Sequence, residues 1–238
     1  MPPATGSAPS AAVRQGVWVG AATGLYGISF GALSVAAGLS VAQTCALSLL
    51  MFTGGSQFAF VGVVAAGGTG LSATAGAALL GVRNAFYGLQ TSPLLGARGL
   101  RRLAAAQLTI DESTAVAVAQ DEPGERRRGF WAAGLAVFGF WNAMTLLGAL
   151  LGDALGDPRR WGLDGAAAAA FLALLWPRLR QRRARAVGAL AALVAVLLVP
   201  AAPAGVPVLA AAVVAVLVAL LRRPRPEGTA GERGGGPA

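Results

Sequence analysis

Between Arg14 and Arg83 the chain runs for 68 residues without a charged side chain. As helix, at about 1.5 Å per residue, that stretch would be roughly 100 Å long, enough for about three passages through a hydrocarbon layer about 30 Å thick. No soluble core needs a helix of that length. A chain with 55% hydrophobic and 12% charged residues also has little polar surface with which to stay in water. A second uncharged stretch, Ala186 to Leu221, is punctuated by Pro200, Pro203 and Pro207 and reads as two shorter spans joined by a stiff turn. The expected solvent is a lipid bilayer.

Apolar blocks run from Gly16 to Gly38, Val41 to Ala66, Leu71 to Leu95, Leu103 to Ala119, Gly129 to Gly152, Leu163 to Trp176, Ala186 to Val199 and Ala204 to Leu221. Backbone amides have no partner in lipid unless they pair within the segment, and none of these blocks alternates like a barrel strand, so helices are expected. The predicted class is all-α: a polytopic integral membrane helical bundle with about 7 to 8 hydrophobic segments, some broken or re-entrant. One transmembrane transport domain is expected over 14–223, between disordered tails at 1–13 and 224–238, with no internal repeat evident. The apolar stretch after Arg14 is too long for the hydrophobic region of a cleaved leader and is expected to remain as the first membrane segment.

The net charge is +9, and all 19 basic residues are arginine. They cluster at Arg98, Arg101 and Arg102, at Arg126 to Arg128, from Arg178 to Arg185, and at Arg222 to Arg225, each cluster beside an apolar block. That is the pattern of cytoplasmic loops rather than of a nucleic-acid surface, so no nucleic acid is expected as a partner. One block conflicts with it. A full crossing by Leu103 to Ala119 would put Arg98, Arg101 and Arg102 on the opposite side from Arg126 to Arg128, so that block, which holds Asp111 and Glu112, is expected to be re-entrant. Cys45 is the single cysteine and histidine is absent, which removes disulfides, the usual zinc sites and Ser-His or Cys-His pairs. No enzyme activity, metal or cofactor is expected.

Three polar interruptions in the apolar blocks are the candidate functional positions. In Thr53-Gly54-Gly55-Ser56-Gln57-Phe58, the paired glycines can break a helix and free backbone groups for a zwitterion, with Ser56 and Gln57 adding side-chain hydrogen bonds. A polar helix-packing contact fits that stretch equally well. In Gly81 to Gly88, Arg83 is the sole charge, suited to a substrate carboxylate or a buried acid, or to snorkelling, and Asn84 and Tyr87 flank it. In Leu108 to Thr114, Asp111 and Glu112 point about 100° apart on a helix, so one can face Arg83 or a cavity while the other faces solvent or a second partner; such a carboxyl can carry a proton, and a surface-loop acid is the other reading. The five glycines Gly16, Gly20, Gly24, Gly27 and Gly31 are expected to form a close-packing helix face, with helix interruption near a site as the alternative.

The order and wording of Gly24 to Ser34, Gly54-Gly55-Ser56-Gln57-Phe58, Arg83-Asn84-Ala85-Phe86-Tyr87-Gly88 and Leu108-Thr109-Ile110-Asp111-Glu112 resemble the AzlC family, large subunits of branched-chain amino acid exporters of the azaleucine-resistance type. The resemblance is strong in the first half and weak in the second. Gly81 and Asn84 stand where many members have an acid and a histidine, which moves the proton-coupling assignment to Asp111 or Glu112. The resemblance implies a multi-pass protein of the cell inner (plasma) membrane that exports leucine, isoleucine, valine and perhaps methionine, driven by protons, with a small membrane subunit of the AzlD type. Expected substrate-binding residues are Gly54, Gly55, Ser56, Gln57, Arg83, Asn84 and Tyr87, with Phe58, Phe86 and Tyr87 shaping the apolar pocket. A non-transporting membrane assembly subunit and a passive small-solute channel are the alternative classes.

Overall fold

A computed structural model describes residues 9–155, 178–202 and 206–221, with positions 172, 175 and 176 between them. The block expected at 163–176 and the C-terminal tail at 224–238 lie almost wholly outside these residues. Every regular element described is helical. Ser10 caps α1 (Ala11–Gly24), accepting a hydrogen bond from the Val13 amide, so the helix begins three residues inside the stretch expected as tail. After a bend at Leu25 the chain continues as α2 (Tyr26–Ala36). There follow α3 (Val41–Leu50), α4 (Gly55–Ala65), α5 (Gly70–Leu95), α6 (Leu100–Gln107), α7 (Asp111–Val118) and α8 (Pro123–Leu155). Two further helices, Arg182–Leu198 and Val206–Leu221, pack on each other.

Among the described residues, two segments are long and apolar enough to cross a membrane: the 26 residues of Ala11–Ala36 and the 33 of Pro123–Leu155. α5 is also 26 residues long but is interrupted by Arg83, Asn84 and Gln90.

The expected glycine face is the seam on which the two long segments meet. A Cβ at Gly16 would lie 2.7 Å from the Ala133 amide nitrogen, and one at Gly27 would lie 3.1 Å from that of Thr145. Gly20 meets Ala136, Gly24 meets Phe140 and Gly31 meets Thr145 and Ala149 at still closer approach, while Gly148 and Gly152 of α8 receive Ile28 and Ala32 in return. Small residues let backbones touch where larger ones would hold them apart, and dispersion between the touching surfaces then replaces the hydrophobic drive that lipid does not supply. Because contact positions rise together along both chains, the segments run parallel, and Arg14 lies at the same end as Arg126 to Arg128.

The segments between them form two V-shaped hairpins that enter from opposite ends. α3 descends from the end where α2 finishes, since the Ser48 hydroxyl bonds that of Thr145 at 3.4 Å, and Phe52 at the tip stacks edge-on against Phe138 at 5.0 Å. α4 returns, with Phe58 against Phe30 and Trp141. α5 then runs the whole length to the arginine-rich end, where Arg127 Nε donates to the Leu94 carbonyl. α6 rises from that end, Leu108 packs on Gly134, and α7 descends until Val116 meets Gly129. Both tips thus lie near the middle of α8. The second hairpin resolves the charge conflict in the sequence: a broken element that returns keeps Arg98, Arg101 and Arg102 at the end that carries Arg126 to Arg128.

Gly20→Leu should force the seam open and lower the thermal midpoint of the purified protein, by an overpacking cost of about 1–3 kcal/mol. Gly139→Ala, on α8 where nothing lies within 4 Å of an added Cβ, should leave the midpoint unchanged or slightly raised. Thermal unfolding in detergent followed by size exclusion checks both.

Candidate functional site

A helix that stops inside the bundle leaves carbonyls without partners, and side chains from three other elements cover them at the first tip. Gln57 Nε2, at the start of α4, donates to the carbonyls of Leu47 and Ser48, each at 3.3 Å. Gln107 Nε2, at the end of α6, donates to the Leu49 carbonyl at 2.8 Å. Arg83 Nη2, on α5, donates to the Thr53 carbonyl at 3.1 Å. Gly54 permits the turn, with φ of 55°, a conformation other L residues seldom adopt. At the second tip the Ser113 hydroxyl donates to the Leu108 carbonyl at 2.6 Å and accepts from the Ile110 amide at 3.1 Å.

Arg83 Nη2 also pairs with Asp111 Oδ2 at 3.0 Å, with the two side chains 30% and 36% exposed. One guanidinium therefore holds a carbonyl of the first tip and a carboxylate beside the second. Glu112, the next residue, lies near Thr23 on α1 and also near Arg83 and Asp111. Thr53 Oγ1, Arg83 Nε, Asn84 Oδ1 and Asp111 Oδ1 are buried and lack hydrogen-bond partners among the described residues. A buried polar group left unmatched costs about 1–3 kcal/mol, so a ligand bearing both donors and acceptors would be stabilised here.

Between the splayed arms of the first hairpin lies a cavity of about 980 Å³, at the upper end of the roughly 300–1,000 Å³ usual for small-molecule sites. Its mouth is formed by Gly38, Leu39, Gly68 and Gly70, at the end opposite the arginine loops; its walls are Leu47, Leu50, Met51, Phe60 and Val64; Thr53, Asn84, Gln107 and Thr109 line the polar part.

A family model described as AzlC protein matches residues 19–155, which hold nearly all of both hairpins, the parallel seam and the Arg83–Asp111 pair. The chain belongs to the AzlC family. Comparison with curated proteins and with solved structures gives no match. AzlC membership implies a membrane-associated protein concerned with branched-chain amino acid transport, in agreement with its long apolar helices.

Within this AzlC chain the expected site residues separate into groups. Arg83, Asn84 and Asp111 converge on the tips, and Gly55 lies against the guanidinium, 3.1 Å from an added Cβ to Arg83 Nη2. Ser56 and Gln57 are 1% and 0% exposed and lie outside the cavity lining; Gln57 caps α3 and Ser56 faces Gly81. Tyr87 lies one turn beyond Arg83 and is half-buried. Of the expected aromatic pocket, Phe58 packs in the core with Phe30 and Trp141, and Phe86 is 66% exposed. The cavity residues Gln43, Met51, Phe60 and Gln107 were not singled out from sequence. A lone amide directly before the second interruption was the available signal for Gln107.

The Arg83–Asp111 pair is about one-third exposed, which limits its coupling to roughly 1 kcal/mol. A double-mutant cycle of Arg83→Gln and Asp111→Asn, read by thermal midpoint, should return a coupling of that size. Arg83→Gln alone should be the more damaging single change, since it also strips the Thr53 carbonyl.

Proposed function

We propose that this protein is a proton-coupled secondary exporter of branched-chain amino acids, working with a small membrane subunit of the AzlD type in the cell inner membrane, which it crosses several times. The observation that carries the reading is the two-part cavity. Its wall of leucine, methionine, phenylalanine and valine suits an aliphatic side chain, and its polar part reaches the Arg83 guanidinium through Thr53, whose carbonyl Arg83 holds. Sites formed where helices are interrupted, with irregular backbone lining a cavity, are a recurring solution to binding a zwitterion inside a bilayer.

In this reading the substrate carboxylate competes with Asp111 for Arg83, and the Thr53 and Asn84 oxygens accept from its ammonium. Gly54 and Gly55 keep the backbone open at the tip, while Ser56 and Gln57 hold the interrupted helix in shape. Asp111, once released from Arg83, takes up a proton, and Glu112 beside Thr23 is the second coupling candidate. Leucine, isoleucine and valine differ by so little apolar surface that such a pocket separates them by about 1–3 kcal/mol at most. The exposed side chains Leu79, Leu80, Val82, Phe86 and Leu89 give α5 a face for lipid or for the small subunit.

Counterflow of labelled leucine in proteoliposomes, with and without the small subunit and at several imposed pH gradients, tests the reading. Asp111→Asn or Glu112→Gln should abolish gradient-driven uptake while sparing exchange. Uphill transport that persists in both variants would remove the carboxylates from coupling. Absence of exchange for any amino acid would favour a structural subunit.

A further inference from the structure

We infer that the arginine-rich end of the protein holds one anionic phospholipid, its phosphate between Arg101 and Arg127 and an acyl chain along α8 beneath the tip of the first hairpin. The inference goes beyond the transport reading and stands whatever the solute.

The apolar part follows from how far the first hairpin reaches. Its tip stops at Phe52, which stacks on Phe138 at 5.0 Å, so the α8 residues nearer the arginine-rich end are left without it. Trp131, Leu135 and Phe138 share one face of that stretch at helical spacing. Leu135 is 57% exposed there, and Leu100 and Leu103, exposed on α6 beside Arg101, offer a second apolar surface. The backbones of α6 and α8 stay apart, and side chains span the gap: Leu108, just past α6, packs on Gly134, and the Arg101 guanidinium lies 6.0 Å from the centre of the Trp131 ring. From Trp131 to Phe138 the helix provides about 10 Å of apolar wall.

The polar part lies at the foot of that wall. Arg127 stands one turn before Trp131 on the same face. Its Nε donates to the Leu94 carbonyl at 3.0 Å, and its Nη2 comes within 3.9 Å of a Cβ built on Gly96, so the guanidinium is held against the link between α5 and α6, which carries Arg98. Arg98, Arg101 and Arg127 thus gather about one turn of α8, and among the described residues none of them has a carboxylate within salt-bridge reach. The acid of that turn, Glu125, is engaged elsewhere: it pairs with Arg128 at 2.8 Å and lies near Ser10 on α1. Like charges gathered without an acid repel, and a phosphate relieves the repulsion through charge-assisted hydrogen bonds that planar guanidinium groups are shaped to give. Lipid, rather than free phosphate, is the fitting source, because the arginines open onto the apolar wall and Trp131 at the junction has the amphipathic ring that favours a membrane interface. Basic clusters beside membrane helices attract anionic headgroups. A lipid bound there ties α6 to α8. Since α6 ends in Gln107, which holds the Leu49 carbonyl, the brace extends to the first tip and its cavity.

The test titrates the full-length protein, purified in neutral detergent, with phosphatidylglycerol, with phosphatidylcholine or with inorganic phosphate, reading the thermal midpoint and, by native mass spectrometry, the lipid retained. Phosphatidylglycerol should be retained and raise the midpoint, and the other two should do neither. Arg101→Gln and Leu135→Gln should each lower phosphatidylglycerol retention at least threefold, whereas Arg128→Gln, whose side chain pairs with Glu125, should leave it unchanged. Arg101 rather than Arg127 is replaced because its guanidinium holds no backbone group, which spares the fold. Equal retention of the two lipids, or the same loss in Arg128→Gln as in Arg101→Gln, would overturn the inference. A midpoint rise with phosphate alone that matches the rise with phosphatidylglycerol would also overturn it, leaving only a free-anion site. The same holds if a Leu135→Cys thiol, in the Cys45→Ala background, is shielded from maleimide by the small subunit in lipid-free detergent and not by phosphatidylglycerol, for the wall would then be a protein interface.

Discussion

Backbone contact along the glycine seam is the constraint on which the rest of the protein depends. In lipid there is little to gain from hiding one apolar side chain against another, so two long helices stay together chiefly through the dispersion of closely touching surfaces and the fit of small residues. Gly16, Gly20, Gly24, Gly27 and Gly31 supply that fit from one side and Gly148 and Gly152 from the other. The parallel alignment that results fixes which ends coincide. It leaves the chain between the two segments to return the full length once, by α5, and to fill the remaining space with elements too short to cross.

Short elements carry unsatisfied carbonyls into the interior, and the way these are satisfied makes the site. At the first tip the covering groups are Gln57, Gln107 and Arg83, each from a different helix. A polar centre is thus a by-product of ending helices in mid-bundle. The same amides and guanidinium that neutralise backbone ends create a place where a small polar solute can be held away from water.

The sequence made some of this legible and concealed the rest, for identifiable reasons. The seam could be read because it is a local pattern, five glycines at helical spacing on one segment. The first interruption could be read because Gly54 and Gly55 are adjacent and glycine is the residue that tolerates φ of 55°. The second interruption has no such mark: Leu108, Thr109 and Ile110 are ordinary helix residues, and the break is stabilised by Ser113, so only the conflict among arginine clusters hinted at it. Gln57 read equally as a ligand or as a helix-packing contact because an amide in an apolar block is conspicuous; it donates to the Leu47 and Ser48 carbonyls in the last turn of α3. The cavity wall was illegible, since Met51 and Phe60 differ from core residues only in which way the two arms lean.

Arg83 stands between Thr53 and Asp111, and this has a thermodynamic consequence for whatever binds there. A ligand that engages the guanidinium begins with a debt equal to the contacts it displaces, so its apparent affinity is lowered by the strength of the protein's own latch. By linkage, bound ligand weakens the hold of one hairpin tip on the other by the same amount. Empty, the two tips are tied through a shared cation; occupied, they are tied through the cargo. The tie between the two hairpin tips is then weakest while that cation changes partners.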